Sequence, residues 1–270
     1  MTPTALHVLG SGSKGNAFAL RRDDAVLLID VGFSAAEVER RCATSGVSLD
    51  TLVGIAVTHE HGDHAAGAVI LAARHQVPLF SSPGTWAALA PDRRVVHRAL
   101  SAAARVEVGP FTLLAAPTSH DAAEPLAVAV EMDDGSSCAF AYDLGRPTAA
   151  VRYLLRRRTV LVLEANHDEV QLRTSSYPPS VQQRIAGSGG HLSNRAASEL
   201  LLELHHAELG AVVLAHLSER CNDPAGALAA IEPPLRALGF TGLLTCAPQH
   251  HPLPPILVAP PVVAQLAMSL

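Results

Sequence analysis

The sequence predicts an α/β layered domain. Three observations carry that reading: 49% of the 270 residues are hydrophobic, the apolar runs alternate between strand length and helical spacing, and runs of strands pass into strand–helix alternation at both ends of the chain. A chain of this length supports one sizeable core, read here as a single domain over residues 1–270. The net charge of only -5 excludes global disorder. Aromatics make up 4%, so Ala, Leu and Val fill most of the core.

Leu6 to Leu9, Ala17 to Leu20 and Ala25 to Ile29 read as short strands parted by Gly/Ser and Arg-Asp-Asp turns. Ser34 starts a helix to Arg41, and Val53 to Val57 is a buried strand. A helix follows His64; then come a strand at Pro78 to Ser81 and a short helix around Trp86. Strands recur at Ala104 to Val108, Phe111 to Ala115, Leu126 to Glu131 and Ser137 to Tyr142. The second half reads helix (Thr148 to Arg156), strand (Val160 to Leu163), helix (Pro179 to Ile185), helix (Arg195 to Leu209), strand (Ala211 to Leu214) and helix (Ala225 to Leu238). No low-complexity linker or repeat marks an internal boundary.

Met1 to Leu9 lacks the basic flank and apolar run of a signal peptide. The uncharged stretch from Gly242 to Leu270 is apolar, but Pro248, Pro252, Pro254, Pro255, Pro260 and Pro261 break any spanning helix. A soluble, cytoplasmic protein without membrane contact is expected. Cys42, Cys138, Cys221 and Cys246 are widely spaced, which argues for reduced thiols over a disulfide framework or a thiolate zinc site. The basic residues are arginines except for Lys14, and the net charge argues against a wholly basic nucleic-acid binder while leaving room for a local basic face. The run Arg156 to Arg158 reads as a solvated helix end.

Gly10, Gly12 and Gly15 fit the GxGxxG spacing, but the segment that follows reads as a hairpin where a dinucleotide-binding turn requires a helix. No nucleotide cofactor is expected. The glycines are read as a turn at a pocket rim, with Ser11, Ser13 and Asn16 offering hydrogen bonds.

The strongest signal is THEHGDH, Thr58 to His64, directly after a strand. Alternating residues of an extended loop point to one side, so His59 and His61 can share one ion while Asp63 and His64 turn toward a second. This is not the HExxH helix of a zinc protease, because the two histidines are two apart. His120, Asp143 and His216 each follow a predicted strand, within PTSHD, AYDLG and LAHLS. Together they complete two N/O-ligated sites, with the Asp143 carboxylate as the natural bridge.

With these residues assembled, the chain resembles the metallo-β-lactamase superfamily. GSGSKGN, LLIDVG, PTSHD, EANHD (Glu164 to Asp168), GHLSN (Gly190 to Asn194) and LAHLSERCNDP resemble its YycJ/WalJ branch of DNA exonucleases, from about Leu6 to Gln249. The resemblance implies a four-layer αββα sandwich with a dinuclear metal site at the sheet edge. It also implies that His59, His61 and His120 hold the first of two divalent ions, Zn or Mn, and that Asp63, His64 and His216 hold the second, with Asp143 bridging. The AYDLG segment departs mildly from the branch pattern, which has threonines around this aspartate. The Pro-rich tail 250–270 lies beyond the resemblance.

Two such ions, about 3.5–4 Å apart, lower the pKa of a bridging water and neutralise charge on a phosphate under in-line attack. The expected function is a metal-dependent phosphodiesterase, a DNA exonuclease by resemblance, with a small ester, thioester or lactam hydrolase and a weakly catalytic metal-binding regulator as the competing readings. Asp63, Asp143 and His191 form the expected catalytic set. His191 precedes a helix start at Ser193 or Asn194, an anion-binding geometry that would place its imidazole at the scissile phosphate. Ser11, Ser13, Lys14, Asn16, Arg184, His191, Ser193 and Asn194 are the expected phosphate contacts, with Arg146 and Arg195 as further strand-gripping candidates. Nucleic acid, DNA before RNA, is the expected partner.

Overall fold

Two seven-stranded sheets face each other across the centre of the computed structural model, which describes residues 3–89, 92–102 and 104–260. In spatial order the first holds Ile256–Val258, Thr4–Gly10, Ala17–Arg22, Ala25–Val31, Leu52–Ala56, Leu79–Ser81 and His97–Ala99. The second holds Leu243–Cys246, Ala211–Ala215, Val160–Glu164, Ser137–Ala141, Leu126–Met132, Phe111–Pro117 and Val106–Val108. Each sheet is antiparallel in one half and parallel in the other.

Strand period two builds the layers. Leu6, Val8, Phe18, Leu20, Leu27 and Ile29 project between the sheets, where they meet Val128, Phe140, Val162 and Val213 from the opposite face. The intervening residues Leu9, Ala19, Val26 and Leu28 face the helices Ala35–Thr44 and Ala68–His75. Ala139, Leu161, Leu163, Val212 and Leu214 likewise face the helices Ala149–Leu155, Asn194–Leu204 and Pro224–Ala237. Strands buried on both faces explain why these segments read as continuous apolar runs. The result is an α/β sandwich of four layers.

Some elements depart from the sequence reading. The helix expected to run to Leu209 stops at Leu204. There His206 turns its ring onto the Arg158 carbonyl and the Glu208 carboxylate, and Leu209 folds back into the same core. Glu169–Thr174 is a short helix capped by Asp168, whose side chain accepts from two backbone N–H groups. The tail before residue 261 has a structural place: Ile256–Val258 adds the edge strand beside Thr4–Gly10. Residues 261–270 of the Pro-rich tail lie outside the described residues. Among the described residues, no helix is long and apolar enough to cross a membrane.

Candidate metal centre

The chain delivers its chemistry to one end of the two sheets. Asp30, Asp143, Glu164 and His216 stand in the last turn of, or just beyond, the parallel strands, and THEHGDH leaves the strand Leu52–Ala56 beside them. Among the described residues six non-glycines adopt φ in the left-handed region, and Asp30, Asp143 and His216 are three of them. Aspartate tolerates this conformation better than most residues, and such backbone bends concentrate where a side chain must be aimed. Gly32 is fixed by close approach: a Cβ there would fall 1.7 Å from the Asp63 carbonyl oxygen.

The metal-ligating types predicted from sequence converge. Donor atoms of His59, His61 and His120 lie within 4.8 Å of one another, as do those of Asp63, His64 and His216, and those of His59, His64 and Asp143. Asp143 therefore stands between the two trios, its Oδ2 at 2.8 Å from His64 Nε2 and 3.6 Å from His59 Nε2. Its Oδ1 lies 3.2 Å from His216 Nδ1.

Outer hydrogen bonds decide which ring nitrogen is left for an ion. A carboxylate only accepts, so His64 Nδ1–H donates to Asp30 Oδ2 at 2.7 Å, which leaves Nε2 as the atom facing Asp143. Asn16 Nδ2 also approaches His64 Nε2, at 3.2 Å. The Nδ1 of His120 meets the Gly190 carbonyl, leaving its Nε2 at 3.4 Å from His61 Nδ1. The buried atom His59 Nε2 has no hydrogen-bond partner, and it faces Asp143 Oδ2 at 3.6 Å. Neutral and carboxylate donors converging on one buried space, with His59 Nε2 left unsatisfied, are a donor set that fits a divalent metal.

The charges agree. Burial, then the neighbouring His64, push His59 below its ordinary range, into the neutral form that ligates. Burial opposes ionisation of Asp63 and Asp143, but the surrounding imidazoles outweigh it and hold both carboxyls well below the usual range. Burial also opposes a charge on His64, His216 and His191, yet the carboxylates hold all three up, His216 to about 9 and His191 to about 10. Positive charge is thus favoured beside the carboxylates, while His59 stays neutral.

Two residues that the sequence reading left without a role organise this centre. Fully buried Asp30 accepts from the Thr58 N–H at 2.8 Å, Thr58 Oγ1 at 2.9 Å and the Tyr142 hydroxyl at 2.8 Å, besides His64. Fully buried Glu164 accepts through Oε2 from the Leu144 and Leu192 N–H groups, and through Oε1 from His191 at 2.8 Å and His216 at 3.1 Å. Both stood inside quoted motifs, LLIDVG and EANHD.

The cleft over the centre measures about 460 Å³ and is lined by Ser13, Asp63, Tyr177, Arg184 and His191, among others. Several expected phosphate contacts are placed elsewhere. Ser11 and Asn16 are buried, and they spend their polar atoms on each other, on Gly12, on the Asp63 carbonyl and on the His216 N–H, so they brace the centre. Lys14 projects to solvent against Glu219 at 2.7 Å. Asn194 is buried in a reciprocal pair with Asn222. Ser193 caps the helix Asn194–Leu204, accepting from the Ala196 N–H. The GxGxxG turn opens a hairpin, as read from sequence.

The β-lactamase superfamily domain matches residues 26–217. The chain belongs to that superfamily. Within it, this chain is 30% identical over 220 residues to exodeoxyribonuclease YycJ of Bacillus anthracis, covering 78% of this chain and 81% of that one. It is 29% identical over 221 residues to exodeoxyribonuclease WalJ of Streptococcus pneumoniae, covering 80% and 82%. It is a YycJ/WalJ-like member of the superfamily. Solved structures share the fold: the metallo-β-lactamase fold protein YhfI of Bacillus subtilis superimposes with a TM-score of 0.67 at 16% identity, over 93% of this chain and 99% of that one. Human tRNase Z, short form, gives 0.63 at 15%, over 92% and 98%. This superfamily member is a metal-dependent hydrolase by its fold, its relatives and its donor clusters.

Proposed function

We propose that this chain is a phosphodiesterase that degrades DNA from an end, with two divalent ions, Zn or Mn, as cofactors. One observation carries the reading: Asp143 stands between two imidazole-rich trios, 3.6 Å from His59 and 3.9 Å from His120 of one, 2.8 Å from His64 and 3.2 Å from His216 of the other. The exodeoxyribonuclease relatives supply the choice of DNA. His59, His61 and His120 would hold one ion, Asp63, His64 and His216 the other, and Asp143 both. Ions in such a pair supply Lewis acidity toward phosphate oxygens and a water of lowered pKa.

The chain's own residues do the rest. Glu164 fixes the rings of His191 and His216. His191 lines the cleft, its Nδ1 between Glu164 and Asp143, and is held protonated to meet phosphate charge or protonate the leaving oxygen. Exposed Arg184 and Ser13 border the same space for backbone phosphates, and Tyr177 offers a ring face to a base.

Metal-loaded protein incubated with end-labelled DNA, RNA and covalently closed circles tests this. A product ladder from linear DNA, blocked by chelation and restored by Mn²⁺, with the circle intact, is expected. Intact DNA alongside good hydrolysis of β-lactams or thioesters would overturn it.

A further inference from the structure

The run Arg156 to Arg158 divides in the structure. Arg158 is the helix end expected from sequence: its Nε donates to the Leu154 carbonyl at 2.7 Å, and its guanidinium pairs with Glu131. Arg156 and Arg157 are exposed and make no ion pair among the described residues. Arg157 also holds a left-handed backbone, φ 56°, directly after Arg156 at φ -61°, ψ 139°. These conformations are close to those of a type II turn, whose third position favours glycine. An arginine there costs stability, and its exposed side chain adds nothing to the core.

Both arginines line an open cavity of about 600 Å³ that is cationic. The carboxylates in its wall are already engaged, Glu131 by Arg105 and Arg158 and Glu203 by Arg152. Glu208, which His206 engages at 2.9 Å, also feels Arg157. Tyr153 stands at the same opening, 78% exposed, with no ring partner among the described residues. A ring face left in water beside unpaired guanidiniums suits single-stranded nucleic acid, the ring stacking on a base and the charges meeting phosphates.

The fold joins this patch to the metal centre. The strand Val160–Glu164 starts just after Arg158 and ends at Glu164, which holds His191 and His216. Its five residues, at about 3.3 Å each, place the patch about 16 Å from the centre. The helix Ala149–Leu155 links the same two ends, from exposed Arg146, three residues past Asp143, to the arginine turn. Its exposed residues Ala149, Ala150 and Tyr153 fall at helical spacing on one face, so a strand lying along it would meet two small side chains before the tyrosine.

We propose that this face is a second contact for single-stranded DNA, which runs from the metal centre along the helix Ala149–Leu155 and is held by Tyr153, Arg156 and Arg157. At about 3.4 Å per nucleotide, the contact falls about five nucleotides from the linkage under attack. The proposal rests on the DNA-degrading reading and extends it from the cut linkage to the strand behind it. An acidic polypeptide would use the arginines but would leave the ring face and the line to the cleft without a purpose.

The test uses metal-loaded protein and single-stranded oligodeoxynucleotides of about three and about twelve nucleotides. The long strand should be cut, and bound, about tenfold better than the short one. Affinity is read on strands whose terminal linkages at both ends are uncleavable methylphosphonates. Tyr153→Ala and Arg157→Gly should each lower the long-to-short ratio about threefold, and together bring it near one. Tyr153 is exposed, and glycine suits the turn, so Arg157→Gly should melt at or above the parent's temperature. The slope of log affinity against log salt for the long strand should flatten by about 0.7 in Arg157→Gly, the counterions of one phosphate, which a structural role would not move. A parent ratio of one, or a ratio and slope that survive the double substitution, would overturn the proposal. If no strand is cut, the phosphodiesterase reading fails, while tighter binding of the long strand, lost in the double variant, still supports the patch. If strands are cut but long and short bind alike, the patch fails and the reading stands. Polyglutamate that displaces the long strand as well as unlabelled DNA of equal charge would make this a protein-docking face and overturn the nucleic-acid assignment.

Discussion

Nδ1 of His64 lies 2.7 Å from Oδ2 of Asp30, and both side chains are fully buried. The bond fixes the imidazole tautomer and turns Nε2 toward Asp143 and Asp63. Asp30 also ties down Thr58, the first residue of the histidine loop, through two hydrogen bonds. One carboxylate thus anchors both the loop and a ring within it.

Asp30→Asn should therefore weaken metal retention without dissolving the fold. An amide of equal size cannot accept from every donor now served by the carboxylate, and its own N–H₂ would face His64 or Thr58. The expected loss is about 10–100-fold in metal affinity, typical of partners one shell out from a ligand. Competition against a calibrated chelator measures it. Unchanged affinity with an unchanged melting curve would remove Asp30 from the account.

Much of this site was legible because its chemistry is local in sequence. THEHGDH places four ligand-type residues in seven, and strand ends preceding His120, Asp143 and His216 mark where strands deliver side chains to one edge. Asp30 and Glu164 escaped because nothing near them in sequence asks for a carboxylate; their roles arise only where His64, His191 and His216 arrive from elsewhere. The phosphate contacts were the weaker reading for a related reason. Hydrogen-bonding type suggested Ser11, Asn16 and Asn194, but burial spends their atoms inside the protein. The edge strands Leu243–Cys246 and Ile256–Val258 are short and lie among prolines, so alternation alone did not reveal them.

Stripping the metal should yield close to two equivalents per chain and lower stability. Ions that bind only the folded state add RT ln(1 + [L]/Kd), about 2.7 kcal/mol at a hundredfold excess over Kd. Elemental analysis of reloaded protein, with thermal unfolding before and after chelation, checks both. A stoichiometry fixed at one under saturating Zn²⁺ or Mn²⁺ would contradict the shared Asp143 arrangement. Asp143→Ala should lower occupancy at both positions together.

Far from the cleft, Arg22 joins the two sheets. It is 2% exposed, ends the strand Ala17–Arg22, and bonds Asp134 Oδ2 at 2.8 Å and Thr4 Oγ1 at 3.0 Å, with Asp133 beside them. Arg22→Met keeps the apolar stem but removes the charge, leaving the partly exposed aspartates to water. A loss of about 1–3 kcal/mol in chemical denaturation is expected, with metal content and turnover preserved in the folded fraction. A variant as stable as the parent would show that the aspartates are solvated without it.

His191 is the residue whose role the geometry constrains most sharply. Its Nδ1 stands 2.8 Å from Glu164 Oε1 and 3.0 Å from Asp143 Oδ1, so that nitrogen carries the proton. Its Nε2 has no hydrogen-bond partner among the described residues, and the ring borders the cleft. Burial works against a charge on the ring, but Glu164 and Asp143 hold it up at about 10. An imidazolium thus lies next to the shared carboxylate while standing outside both trios. If it meets the phosphate, His191→Ala should keep both ions and cut kcat by about 10²-fold or more, as the loss of a general acid does. Glu164→Gln should act in the same direction more mildly, because the ring remains but one of its two carboxylate partners is gone. A rival arrangement exists in the same structure, since donor atoms of Asp143, Glu164, His191 and His216 also lie within 4.8 Å of one another. The backbone N–H groups of Leu144 and Leu192 already occupy Glu164 Oε2, which argues against Glu164 as a ligand. Metal content and turnover measured on one preparation of His191→Ala decide between them: full metal with slow turnover supports the phosphate role, full metal with full turnover removes His191 from the mechanism, and lost metal makes it a ligand.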